Sequence, residues 1–503
     1  MPSLNGQTLP PQRGTLAVLA SPLLRFLGRF TVLKGAAREL WLVFAIKLLA
    51  VAAYSVTNKT LALWLSSDYG YSDQAAVGLV GVWAVSMTGF TLLVGSLTDA
   101  IGLRKSFFLG VFVCLFARTV MAFTNVKWLA LGGGLFPLAL GEALGNPVLI
   151  AAGRRYSNTK QRSISFSLLY TVMNMGFWAS GRMFDFVRQG LGEHGHLNLF
   201  GLHITTYRTL FLVSLAFEIS LLPIVYYLRP GAEATDDGLR ITPEQPKYPQ
   251  ATLLQSFVLT VRDSVRDTVQ LFAGLLQQSS FYRLLGFLVL VGFLKVMVMQ
   301  TDYVFPKFGI RELGDGAPIG QLSNINYILI IILVPIVGAL TQRLSAYRMV
   351  VIGSLMCAAS VFVMALPTAW FVPAASGLLG HWVGHKYLGL TGSVHAYYVM
   401  AAIYFVVWSI GEAFYSPRVY EYAAAIAPKG QEASYGALSY VPLFLGKLVV
   451  GSSGFLLARY CPEQGVRHSE IMWLIFALTA TVAPVGLLAL RRLIRVHEAG
   501  RPD

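Results

Sequence analysis

Apolar runs of about twenty residues recur along nearly the whole of this 503-residue chain. A helix rising about 1.5 Å per residue crosses the roughly 30 Å hydrocarbon core of a bilayer in about 20 residues, so each run is long enough to span a membrane. Twelve such segments fall at about 39–66, 76–98, 105–124, 127–152, 163–187, 205–228, 283–305, 319–342, 347–369, 394–417, 434–459 and 470–491. Composition agrees: 55% of residues are hydrophobic and 13% charged, whereas a soluble domain carries about 25% charge to cover its wet surface. The 31 phenylalanines exclude a disordered chain, and three cysteines cannot form a disulfide scaffold. Cys114 and Cys357 sit inside apolar runs and Cys461 near the end of one, so they read as packing residues. The predicted class is an all-α membrane protein.

Lysine and arginine number 39 against 24 acids, a net charge of +15. The bases sit between the apolar runs, where they follow the rule that positive loops stay in the cytoplasm, and this argues against nucleic acid as a partner. Arg104, Lys105, Arg154, Arg155, Lys160, Arg162, Arg343 and Arg348 fall in one set of loops and Arg491, Arg492 and Arg495 in the tail, against Lys127, Lys307, Arg311 and Lys386 in the other set. An even span count with that asymmetry places both termini inside, in a bacterial cytoplasmic membrane. Residues 1–38 form a cytoplasmic lead-in without a cleavable signal, and 492–503 a cytoplasmic tail. Residues 229–282 divide the spans into bundles at 39–228 and 283–491. The first part of this divider, GAEATDDGLRITPEQPKYPQ, reads as a polar linker, and the second as an amphipathic helix lying on the membrane or against the protein body. A partial repeat, GSLTDAIGLRKSFFLG at 95–110 and GALTQRLSAYRMVVIG at 338–353, follows the second and the eighth span. Like-oriented repeats imply halves related by an axis along the membrane normal, with a cavity between them.

The first copy, with Gly95, Leu97, Asp99, Gly102, Arg104 and Lys105, resembles the G-x-L-x-D-x-x-G-x-[RK]-[RK] motif of the major facilitator superfamily, which implies two six-helix bundles and a latch of acid and bases at a helix end. Three segments resemble the proton-dependent oligopeptide transporter family: SFSLLYTVMNMG at 165–176, QLSNINYILIIILVPIVGAL at 321–340 with Tyr327 where that family has proline, and GEAFYSPRVYEYAAAIAPKG at 411–430. The family's first-span E-x-x-E-R-F-x-Y-Y is replaced by KLLAVAAYS, leaving only Tyr54, and its fourth-span lysine before proline by Asn146 before Pro147. A peptide carboxylate thus lacks its expected cationic partners.

A charge at mid-membrane costs about 2.5–3.5 kcal/mol on insertion scales, so intramembrane ionisable residues call for a partner, a cavity or a function. Those singled out are Lys47, Glu142, Lys295, Asp302, Glu412 and Lys447, with Arg182 and Asp185 near a span end as an expected i,i+3 pair. Lys295 and Asp302 share a helix face, each expected to meet a charge elsewhere or the substrate. The resemblance implies Glu412 as the substrate-amine site, with Asn326, Asn174 and Tyr170 as polar contacts, while mutual neutralisation with Lys447 or Lys295 remains the structural alternative. The expected substrate-binding set is therefore Glu412, Asn326, Asn174, Tyr170, Tyr54 and Lys295, and the coupling or gating set Asp302, Glu142, Lys447, Asp99 and Arg104. Trp178 and Trp408 read as packing, and His194, His196 and His203 as a solvated loop without a metal. Phosphate-cradling loops and hydrolase motifs are absent, so the chain reads as a non-enzymatic monomer that needs no cofactor, with a proton gradient as a candidate driving force. The expected function is secondary transport of a small polar or amphiphilic organic solute, peptide-like or not. Facilitated movement or export without proton coupling, and a non-transporting receptor or scaffold, stand as alternatives.

Overall fold

The computed structural model describes residues 33–158, 161–199, 201–242, 248, 250, 252–341, 344–426 and 441–495. Nearly all of the lead-in, most of the tail and the start of the eleventh apolar run lie outside the described residues, as does the side chain of Asp99.

Six helical segments form the first half: α1 (Arg38–Tyr69), α2 (Asp73–Ile101), α3 (Leu103–Phe123), α4 (Lys127–Arg155), α5 (Arg162–Leu191) and α6 (Thr206–Tyr226). Their ends follow local rules. Gly70, at φ 66°, closes α1 in the left-handed region; Ser72 accepts from the Ala75 N–H to start α2, and Thr205 from the Arg208 N–H to start α6. A short hairpin, β1 (His196–Leu199) with β2 (Leu202–Thr205), joins α5 to α6, so the histidine-bearing loop is ordered rather than irregular. A second hairpin, β3 (Ala232–Thr235) with β4 (Gly238–Ile241), occupies what reads in sequence as a linker, and α7 (Leu253–Leu275) then packs against α2. The second half comprises α8 (Ser279–Tyr303), α9 (Phe305–Leu313), α10 (Ile319–Leu340), α11 (Ala346–Ala365), α12 (Ala396–Ile426), α13 (Val441–Val450), α14 (Ser453–Tyr460), α15 (Ser469–Ala489) and α16 (Arg491–Ile494), with short helical turns over 368–387.

Among the described residues ten helices are long and apolar enough to cross a membrane, eleven if α13 and α14, bent by 41°, form one span. α5 falls outside that count because its uncharged stretch is diluted by polar residues such as Ser165, Ser167, Tyr170, Asn174 and Ser180. α4 is not a uniform α-helix: Ala130–Leu135, containing three consecutive glycines, is a π-helical turn, which loosens the helix where it passes α3. Side-chain packing divides accordingly. One hydrophobic cluster runs through α1–α6 and takes in Met299, Tyr303 and Val450 from the second half, and another runs from Leu275 to Ile494. The outer surface is apolar, with Phe112 57%, Phe116 59% and Phe186 71% exposed, as a lipid-facing surface requires.

Candidate functional site

Where the halves meet, α1 turns Lys59 inward, 2% exposed. Its ammonium donates to the Asp302 carboxylate of α8 at 2.9 Å, and it sits 3.4 Å from Ser55 Oγ and from the Tyr327 hydroxyl of α10. Ser180 of α5 donates to Ser55 at 2.6 Å, and Phe177 stacks on Tyr327 at 5.0 Å. Helices from both halves thus close around one ion pair. Beside Tyr327, Asn326 points the next position of α10 at α12, donating to Ser409 Oγ at 3.0 Å and to the Glu412 carboxylate at 3.1 Å. Trp408 Nε1 donates to the same carboxylate oxygen at 3.2 Å, so this tryptophan is a polar contact as well as packing. Among the described residues Glu412 has no cation at pairing distance, and its neutralisation by Lys295 or Lys447 does not occur. Tyr170 of α5 lies beside Asn174, Ser416 and Glu412, and Asn174 donates to the Tyr170 carbonyl at 2.9 Å.

The remaining candidates are dispersed. Tyr54 stacks on Trp83 of α2 at 6.5 Å, Lys295 lies over the Tyr415 ring at 5.1 Å, and Lys447 donates to Thr88 of α2 at 3.2 Å. Lys47 is buried on α1. Glu142 lies apart from the central ion pair and contacts the Arg118 guanidinium, which also donates to Glu218 of α6 at 2.9 Å. Arg104 reaches across to the C-terminal end of α6, donating to the Tyr226 carbonyl at 2.8 Å and lying over the Tyr226 and Phe108 rings. In the hairpin, the His196 and His203 rings lie 5.2 Å apart, and no cluster able to hold a metal occurs among the described residues.

The hairpin end of the molecule is closed by contacts between the halves. Asp73 of α2 accepts from Lys307 at 2.7 Å and from Arg311 at 2.7 and 2.9 Å. Asp185 accepts the first-turn N–H groups of α10, from Gly320 at 2.9 Å and Gln321 at 2.7 Å, where the helix end attracts negative charge. The expected Arg182–Asp185 pair does not form: Arg182 is exposed, and Asp185 instead pairs with Arg188 at 3.4 Å, because Arg188 faces Glu193 and the Ala317 carbonyl at 3.2 Å. Tyr207 adds a 2.8 Å bond to Glu193 and Gly316 donates to it at 3.3 Å. Burial opposes charge on Glu193, but the Arg188 hydrogen bond and charge, with Tyr207 and Gly316, outweigh it and hold the carboxyl below its ordinary value.

A Major Facilitator Superfamily sequence model matches residues 43–439. The chain belongs to this superfamily. No curated protein sequence matches it. Its fold is similar to that of a POT family transporter in complex with 5-aminolevulinic acid, at TM-score 0.65 and 13% identity over 91% of this chain and 97% of that one. It is similar also to a POT family transporter in complex with a thioalcohol-conjugated peptide, at TM-score 0.67, 14% identity and coverage of 91% and 97%. A third likeness is to a bacterial homologue of the human drug peptide transporters, at TM-score 0.63, 15% identity and coverage of 91% and 98%. At these identities the likeness is one of fold.

As a Major Facilitator Superfamily member the chain is a multi-pass integral membrane transporter and not an enzyme. Its sequence reading named six central ionisable groups, and the structure adds Lys59, Arg118 and Glu218, all inside the membrane-length helices. The signal was present: each lies within the apolar runs at 39–66, 105–124 and 205–228.

Proposed function

We propose that this superfamily member is a secondary transporter of a small polar or amphiphilic organic solute, acting as a monomer by alternating access. In this reading twelve spans form bundles at 39–228 and 283–491, joined by a cytoplasmic 229–282 segment, with residues 1–38 and 492–503 also in the cytoplasm of a bacterial cell. The hairpin end is then the outer face, closed here by Asp73, Asp185 and their partners, and the Arg104 end faces inward.

One observation carries the reading: Lys59, Asp302, Tyr327, Asn326 and Glu412 form adjoining polar contacts, one pair bridging the halves and the other lying next to it on α10. An ion pair between rocking bodies can break and re-form with their motion, and a carboxylate held, among the described residues, by neutral donors is available to a cationic or hydrogen-bonding group of a solute. Asn326, Asn174 and Tyr170 supply the polar contacts, with Lys295 and Tyr54 as further members of the binding set. Asp302, Glu142, Lys447, Arg104 and Asp99 serve coupling or gating. No cofactor is needed, and a proton gradient supplies the driving force.

Uptake into proteoliposomes with an imposed pH gradient tests this. The panel comprises dipeptides, 5-aminolevulinic acid, alafosfalin and amine-bearing metabolites. One or more compounds are expected to accumulate with wild-type protein and not with Glu412→Gln. Uptake unaffected by that substitution, with unchanged pH dependence, overturns the site; accumulation indifferent to the gradient returns the protein to the facilitators.

A further inference from the structure

Arg118, fully buried on α3, faces two carboxylates: Glu142 of α4 through one terminal nitrogen and Glu218 of α6, at 2.9 Å, through the other. Its Nε lies 3.4 Å from Thr57 of α1, which in turn bonds Ser214 of α6 at 3.2 Å. One guanidinium compensates one carboxylate. The second cation in range, Lys447 on α13 of the opposite half, is engaged with Thr88 and is not at salt-bridge distance from either acid. Among the described residues Cys114 on α3 and Tyr54 on α1 are the other titratable groups facing the cluster.

Two further observations mark this cluster as more than an ion pair that holds helices together. A cavity of about 30 Å³ touches both carboxylates and runs between α1, α3, α4 and α6, past Ile46, Phe107, Leu149 and Leu221. A water needs about 10–15 Å³ of such space, so there is room for about two. The wall residues belong to the early turns of α1 and α3 and the late turns of α4 and α6, so the cavity leads from the acids toward the Arg104 end. The cluster is also the counterpart of the Glu412 site. Gly141-Glu142-Ala143 and Gly411-Glu412-Ala413 each precede a proline, Pro147 or Pro417, by the same spacing. A Cβ on Gly141 would lie 2.5 Å from Cys114 Sγ and 3.3 Å from the Gly110 carbonyl, and one on Gly411 2.7 Å from both Cys357 Sγ and the Gly353 carbonyl. The same glycine–cysteine contact therefore sets a glutamate at the same place in each half.

The geometry points to a division of labour, which rests on the transport reading above: the carboxylate pair Glu142–Glu218, bridged by Arg118, binds the coupling proton, and Glu412 binds the solute. With both carboxylates ionised and Lys447 held by Thr88, the buried cluster carries one uncompensated negative charge, which a proton neutralises. The proton arrives from water through the cavity and is shared by the pair, so its titration belongs to both acids together. When the halves close toward the Arg104 end, Lys447 is the group able to replace it: the ammonium meets Glu142 and the proton leaves to the cavity water. Substrate movement and proton movement are thereby linked through one lysine that crosses the interface.

Infrared difference spectroscopy of the full chain in lipid nanodiscs, titrated between mildly acidic and mildly alkaline buffer, reads this with the proton itself as the probe. Wild type is expected to show a carboxyl signal that disappears toward alkaline pH. Glu142→Gln and Glu218→Gln are each expected to lose it, since a single remaining carboxylate is compensated by Arg118; Glu412→Gln is expected to keep it. Either glutamine variant that folds suffices, and Arg118→Lys, which keeps the charge, is expected to retain a titrating pair. A signal surviving both glutamine substitutions, or lost only in Glu412→Gln, overturns the assignment while leaving the solute site standing. Absence of all uptake with the signal intact would instead remove the transport reading.

Discussion

At the scale of single residues, the interior charges carry the largest expected effects. Lys59→Met strands the Asp302 carboxylate in a nearly dry interface, and breaking a buried pair in this way costs about 3–5 kcal/mol. Thermal melting in detergent should show that loss, with most of it recovered in Lys59→Met combined with Asp302→Asn. Gly411→Ala is expected to lower both melting temperature and uptake, because its Cβ would press on the Gly353 carbonyl at 2.7 Å and shift Glu412; Gly89→Ala, where nothing lies within 4 Å, should be silent in the same assays. Glu412 and Asn326 were legible in sequence because a resembling motif carried them. Lys59, Arg118 and Glu218 were hidden by the apolar runs around them, although a charge inside such a run is itself the signal. Asp185 lies three residues from both Arg182 and Arg188, so spacing could not choose between them. Only the approach of Glu193 and the Ala317 carbonyl decides for Arg188.

At the scale of elements, apolar length located most of the helices to within a few residues, since crossing a bilayer fixes the minimum run; α12 runs to Ile426, past the expected end at 417, and the run at 434–459 begins outside the described residues. Breaks inside spans were not legible. The glycine triplet of α4 and the bend between α13 and α14 depend on what packs alongside, and the two hairpins depend on pairing between residues that read as loop. The loop joining α5 to α6 also makes a pH expectation. The Glu193 carboxyl titrates below its ordinary value of 4.5 in the folded protein, so its contribution is present above about 4.5 and is lost as pH falls through the folded value. Glu193→Gln should therefore melt at a lower temperature than wild type at neutral pH, and the two curves should converge in acid. A gap that stays constant down to strongly acidic buffer would remove Glu193 from the closure.

At the scale of the whole molecule, two helical halves share a polar seam and are pinned at the hairpin end. In sequence, the polar segment after the sixth apolar run and the partial repeat point to two halves. The pinning could not be read there, because Asp73, Lys307 and Arg311 meet only after α2 and α9 come together. Opening of that end while the seam rearranges is what transport by this fold demands. The most direct measurement places Asp73→Cys and Arg311→Cys in a background with Cys114, Cys357 and Cys461 replaced, joins them with a short reducible cross-linker, and follows uptake of a panel compound by proteoliposomes. Uptake should stop on cross-linking and return on reduction; uptake that continues unchanged across the locked end would contradict alternating access in this protein.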